Sequence, residues 1–153
     1  METFQVVISP DIVDVLRHEH ERIRQLCTDI REAGRDRKRR SLTALQHAVH
    51  LHQLGELTVA HPATRTSSAN GDTIALTCQA NGEQLERSLT ELGRLGVGHP
   101  DFDARFEALS NALLDHAAHQ ERDEFPLLRR YVPRQRLHMM ASAMHDIQTM
   151  ALH

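Results

Sequence analysis

DIVDVLRHEHERIRQLCTDI, residues 11–30, is the stretch whose reading decides the fold. Val13, Leu16, Ile23, Cys27 and Ile30 recur at alternating steps of three and four. That spacing lines one narrow stripe of an α-helix, the pattern of a helix that packs in a bundle. Position 20 lies on the same stripe, and it is a histidine. Ser9 can cap this helix, Pro10 suits its first turn, and Asp11 complements its positive end. Gly34 is the expected C-cap, and GRDRKRRS, residues 34–41, reads as an interruption.

The same spacing recurs along the chain. A second helix is expected from Ser41 to just before Pro62, with Leu42, Leu45, Val49, His52, Glu56 and Val59 on its stripe. ATRTSSANGD, residues 63–72, reads as a loop. A third helix runs from about Thr73 to Leu95 through Cys78, Gly82, Leu85, Leu89 and Leu92, with a kink or late start expected at Asn81-Gly82. A fourth runs from Asp101 to Phe125 through Phe102, Phe106, Leu109, Leu113 and His116, and Pro126 should end or bend it. A fifth is expected from Pro133 to the end. No strand-like alternation is visible. The fold class is therefore all-α, an up-down-up-down four-helix bundle with an additional C-terminal helix. A single domain is expected, with its bundle core over about 10–130 and the extra helix over about 133–152. That helix should pack outside the bundle or meet a partner, a second copy of the chain included.

Composition agrees with this reading. A chain of 153 residues suffices for one buried core. Aromatics are 3% with no Trp, so the core must be aliphatic, and Leu and Ala favour helices. A net charge of −3 gives no reason to expect nucleic acid or an anionic membrane as partner. The basic run REAGRDRKRR, residues 31–40, reads as a solvated interhelical segment. Cys27 and Cys78 make no disulfide framework, which suits a reduced, cytoplasmic setting. METFQVVISP lacks the basic and apolar parts of an export leader, and no run approaches the roughly 18 apolar residues of a membrane span.

Histidine is the outlier, with 12 residues. His20, His52 and His116 stand on stripes where aliphatic residues are expected. Counted from the end of the bundle that their helices share, each lies eight or nine residues in, roughly 12–14 Å at 1.5 Å per residue. Three histidines from three helices thus meet at one level. Glu56 is one turn from His52 on the same face. Glu121 follows His116 by five, which needs local distortion to reach the same place. His61, at a helix end, reads as too far away for direct ligation unless the loop folds in. A buried polar network is the bland reading. An unpaired buried carboxylate, however, costs several kcal/mol against a net stability of roughly 5–15 kcal/mol. A cation removes that penalty, and imidazole with carboxylate suits iron, manganese or zinc. No E-x-x-H occurs, so the ferritin-like carboxylate class is excluded.

These residues resemble the hemerythrin-like, or HHE cation-binding, family. The matching pieces are DIVDVLRHEHERIRQL, HQLGELTVAHP, HPDFDARFEAL and LLDHAAHQERDEFP, over roughly residues 10–130. The resemblance implies a four-helix bundle around a non-haem di-iron site, two ions bridged by oxo or hydroxo, with a single ion as the alternative. It implies a small diatomic ligand or peroxide as partner, with roles in oxygen, nitric oxide or redox sensing, iron handling or peroxide removal. It makes His20, His52 and His116 iron ligands, and Glu56 and Glu121 the bridging carboxylates. One departure stands out. The family's third helix supplies histidine, whereas this one offers Cys78 and Gly82, flanked by Gln79, Asn81 and Glu83. The site is then mononuclear, or recruits Glu83, Cys78, His61 or His119, or holds two metals with extra water. The alternative function is a non-enzymatic helical interaction module with an empty or zinc-filled site.

Overall fold

The computed structural model describes residues 9–152, and every described element is helical. Residues 1–8, which carry most of the expectation against an export leader, and residue 153 lie outside the described residues. Helix α1 (Ile12–Glu32) starts at Asp11, not Ser9. The Asp11 side chain accepts from the Asp14 N–H at 2.8 Å, and Asp14 accepts from the Asp11 N–H at 3.1 Å. This reciprocal box satisfies two of the donors that a helix start leaves open.

The chain turns over Ala33 and Gly34, and α2 (Arg35–Gly55) begins at once. The basic run is therefore helical rather than an interruption. Its arginines and lysine are good helix formers, and Lys38 is held by Asp103 at 2.9 Å. Pro62 does not stop this rod. A π-helical turn, Glu56–Ala60, passes directly into α3 (His61–Ser67). The His61 N–H reaches back five residues to the Glu56 carbonyl. Pro62 then falls in the first turn of α3, where its missing N–H costs little. Residues 63–67, expected as loop, are accordingly helical.

Helix α4 (Gly71–Leu95) is continuous through Asn81-Gly82, without the expected break. Gly82 is buried, and a β-carbon there would collide with the Gln53 side chain. Close approach of another helix's side chain, not a turn, explains this glycine. The second rod repeats the device of the first. Helix α5 (Phe102–His119) passes through a π-turn, Gln120–Glu124, into α6 (Phe125–Tyr131), with Pro126 in its first turn. The two rods share a register: His52, Glu56 and Pro62 in one match His116, Gln120 and Pro126 in the other. The buried residues of α1 and α4 match likewise, Leu16, His20, Ile23 and Cys27 against Cys78, Gly82, Leu85 and Leu89.

Helix α7 (Arg134–Ala151) lies outside the four rods, against α1 and α2. Met140 and Met144 are buried, whereas Met139 faces solvent. Met144 rests on Gly55, where any β-carbon would strike it. Apolar packing forms two clusters. One, containing Ile30, Leu45, Leu89 and Phe106, fills the end near the α1–α2 turn. The other, containing Leu16, Phe125, Leu128 and Met144, fills the end under α7. A buried layer of polar side chains from α1, α2, α3, α5 and the two π-turns separates them. Among the described residues, no helix is long and apolar enough to cross a membrane.

Candidate metal centre

The layer is built from two histidines whose outer nitrogens are fixed. His20 Nδ1 donates to Glu121 Oε1 at 2.9 Å, and His52 Nδ1 donates to Glu19 Oε1 at 2.7 Å. Such anchoring sets the ring orientation and leaves Nε2 for the interior. The two Nε2 atoms approach to 3.2 Å, and Glu56 Oε1 lies 2.5 Å from that of His52. His20, His52 and Glu56 thus offer three donor atoms within 4.8 Å of one another. Gln120 adds a fourth oxygen, its Oε1 lying 3.2 Å from His20 Nε2. Atoms able to ligate a cation thus crowd one point.

The charge states follow from the neighbours. Burial, with the His52 charge, lowers the His20 pKa, so this ring is neutral. Burial also works against charge on His52, but Glu56 and Glu19 outweigh it and raise the pKa to about 10. Burial opposes the Glu56 carboxylate, yet His52 and His61 hold its pKa well below the usual range. Without a cation, protons on imidazoles balance the buried carboxylate, and a divalent ion can take their place.

The other half of the layer holds residues that the sequence reading did not place there. His61 is 1% exposed. Its Nδ1 donates to Glu124 Oε1 at 2.7 Å, and its Nε2 faces Glu56 Oε2 at 3.3 Å. Glu124 also accepts from Thr64 Oγ1 at 2.8 Å. Gln120 Nε2 donates to Glu56 Oε2 at 2.6 Å. Burial opposes charge on His61, but Glu124 and Glu56 raise its pKa to about 9. His116 is buried in the same layer, where burial lowers its pKa, and neither ring nitrogen has a partner among the described residues. With His20 and His52 it lines a small cavity of about 10 Å³, room for one water-sized molecule.

The five expected ligands thus divide. His20, His52 and Glu56 converge, and His116 stands beside them without a bond. Glu121 lies behind His20, its carboxylate engaged by His20 Nδ1 and, at 3.2 Å, by Arg24. The local distortion that Glu121 required does exist. It begins at Gln120, so it turns Glu124 inward and leaves Glu121 partly exposed. His61 reaches the layer by the same means, because a π-turn brings the fifth residue onto the face that the fourth takes in an α-helix. The signal for both was a proline one or two residues further on, Pro62 after His61 and Pro126 after Glu124, past a helical stripe that keeps going.

A helical bundle with imidazoles and carboxylates buried in one transverse layer defines a class, the bundles that hold cations between their helices. The chain belongs to the hemerythrin HHE cation-binding domain family, whose model matches residues 11–128. It is similar to the crystal structure of a hemerythrin HHE cation-binding domain-containing protein from Mycobacterium kansasii. That likeness has a TM-score of 0.79 at 22% identity, over 94% of this chain and 90% of the other. At this identity it speaks for the fold. No curated protein matches the chain.

Proposed function

We propose that this protein binds non-haem iron in the buried layer and reacts there with dioxygen, nitric oxide or peroxide. The observation that carries the reading is the convergence of two anchored imidazole nitrogens and a fully buried carboxylate on one point. His116, buried with neither ring nitrogen partnered among the described residues, supports it, since buried polar atoms without partners call for a ligand. His20, His52 and Glu56 hold the first ion, and Glu56, His61, Glu124 and His116 provide donors for a second. Glu121 acts by orienting His20. Bound iron supplies a redox-active Lewis acid at a site open to a small ligand.

The residues do the rest. Glu19 and Glu121 hold the imidazoles and keep their inner nitrogens available. Phe125 stacks on His20 with ring centroids 5.5 Å apart and closes the layer toward the apolar end. The small cavity that His20, His52 and His116 line has room for only a small molecule beside the histidines.

Metal analysis and a visible spectrum of protein from iron-rich medium test this. Iron at one or two ions per chain is expected, lost in His52→Ala and in Glu56→Ala while helicity persists. Zinc in place of iron from that medium would make the chain a non-redox module and overturn the reading.

A further inference from the structure

The two converging imidazoles are anchored differently. Behind His20 stands Glu121, whose carboxylate is also held by Arg24 on the same helix as His20. Behind His52 stands Glu19 of α1, and Glu19 is held from outside the four rods. Gln148 of α7 donates from Nε2 to Glu19 Oε2 at 2.8 Å and to the Leu51 carbonyl at 3.1 Å. Among the described residues, each Glu19 oxygen has its own donor, His52 on Oε1 and Gln148 on Oε2. One amide therefore ties the carboxylate that orients His52 to the backbone just before His52.

We propose that Gln148 is a positioning residue of the metal centre, fixing the His52 ring through Glu19 and so making α7 part of the site. The inference rests on the metal-centre reading above. Glu19 is a flexible side chain, 23% exposed, and water competes for its oxygens. Gln148 removes that freedom by holding the second oxygen. The first oxygen then stays on His52 Nδ1, and Nε2 stays aimed at His20 Nε2 and Glu56. Helix α7 is itself fixed against α2 close by. Met144, one turn before Gln148, is fully buried against Gly55, three residues after His52. Packing at Gly55 and the bond at Leu51 thus grip α2 on both sides of His52. The two anchors also differ in charge. The Arg24 guanidinium shares the charge of Glu121, whereas the neutral Gln148 amide leaves that of Glu19 to His52. His52 is accordingly the more strongly supported donor of the two.

The test is cobalt(II) binding by the full chain, read by competition with a chromophoric chelator and by visible ligand-field absorption. Gln148→Met keeps the side chain's length and removes its donor. It should bind cobalt(II) about 10- to 100-fold more weakly, with shifted ligand-field bands. Gln148→Lys restores a donor and should recover most of the affinity. His145→Ala, on the exposed face of α7, should match wild type. Glu19→Gln should lose at least as much as Gln148→Met, and combining the two should weaken binding no further, because both act along one path. Wild-type affinity and bands in Gln148→Met, with cobalt(II) lost in His52→Ala, would overturn the proposal and leave the metal centre standing. So would losses that add in the double variant, or a lowered urea midpoint at unchanged affinity, which would make Gln148 a packing residue. Cobalt(II) bound by no protein, wild type included, would remove the centre itself, and the proposal with it.

Discussion

Gln120 occupies in one rod the place that Glu56 occupies in the other. Its amide donates to Glu56 at 2.6 Å and to Glu124 at 3.4 Å, so it keeps two buried carboxylates apart and solvated by protein. Gln120→Glu removes that donor and inserts a third negative charge. In chelator the variant should lose about 3–5 kcal/mol of stability, the cost of an uncompensated buried charge. In excess cobalt(II) the loss should shrink or reverse, because the new carboxylate completes the second half-site. Urea midpoints under the two conditions measure this, and an equal loss in both would place Gln120 outside the cation's reach. A pH effect belongs at the same scale. In the cation-free protein His52 and His61 have pKa values raised to about 10 and about 9, from 6.5. A raised basic group stabilises the fold fully below its unfolded pKa and loses that contribution as pH climbs through the folded one. Cation-free protein should therefore lose stability from about pH 7 to 10. Denaturation midpoints across that range check it, and a flat profile would mean that the two histidines fold uncharged.

The elements show what a stripe of residues can and cannot announce. Val13, Leu16, Ile23, Cys27 and Ile30 are all buried as their spacing requires, and so are the stripes on α2, α4 and α5, except that past Glu56 the core position falls on Ala60 and Val59 is only partly buried. Legibility failed where a local rule met a compensating device. Pro62 and Pro126 normally mark helix ends, but each follows a π-turn that removes the conflict with the preceding carbonyl. The phase shift of the first turn is what hid His61, five residues after Glu56, whereas Glu124, four after Gln120, was hidden because the stripe as read ended at His116. Helix α7 was legible as a helix but not as part of the core. Gln148 on α7 donates to Glu19 at 2.8 Å, and Glu19 in turn holds His52. Met144 is 0% exposed, wedged against Gly55. Met144→Ala should cost about 2–5 kcal/mol, the usual range for a buried methionine truncation, read by chemical denaturation. A loss within about 0.5 kcal/mol, the size of a surface effect, would show α7 to be an appendage.

At the scale of the molecule, a polar layer divides the core into two apolar clusters, and the consequences differ on either side. The cluster at the α1–α2 turn is bounded by long uninterrupted helices and is aliphatic and aromatic, with Ser110 a buried polar side chain beside it. The cluster beneath α7 is tied to the layer by the π-turns, by Phe125 stacked on His20, and by the Thr64–Glu124 bond. A cation that binds only the folded layer adds stability of about 2.7 kcal/mol at a hundred times its Kd. That gain should be distributed unevenly. Native-state hydrogen exchange with and without chelator can resolve it, because local openings report the stability of each part separately. Amides of residues 85–92 and 102–113 should keep their protection when metal is removed. Amides of 61–67 and 120–131 should exchange faster, since their helices start from turns whose side chains point at the ion. Uniform loss across all four segments would mean that the bundle opens as one unit and that the layer divides nothing. Unchanged exchange everywhere, in protein shown to have carried metal, would place the ion elsewhere than in this layer. The uneven outcome would explain why the chain breaks its helices at two matching places. The break costs regularity on one side of the layer and gains the side chains that turn inward there.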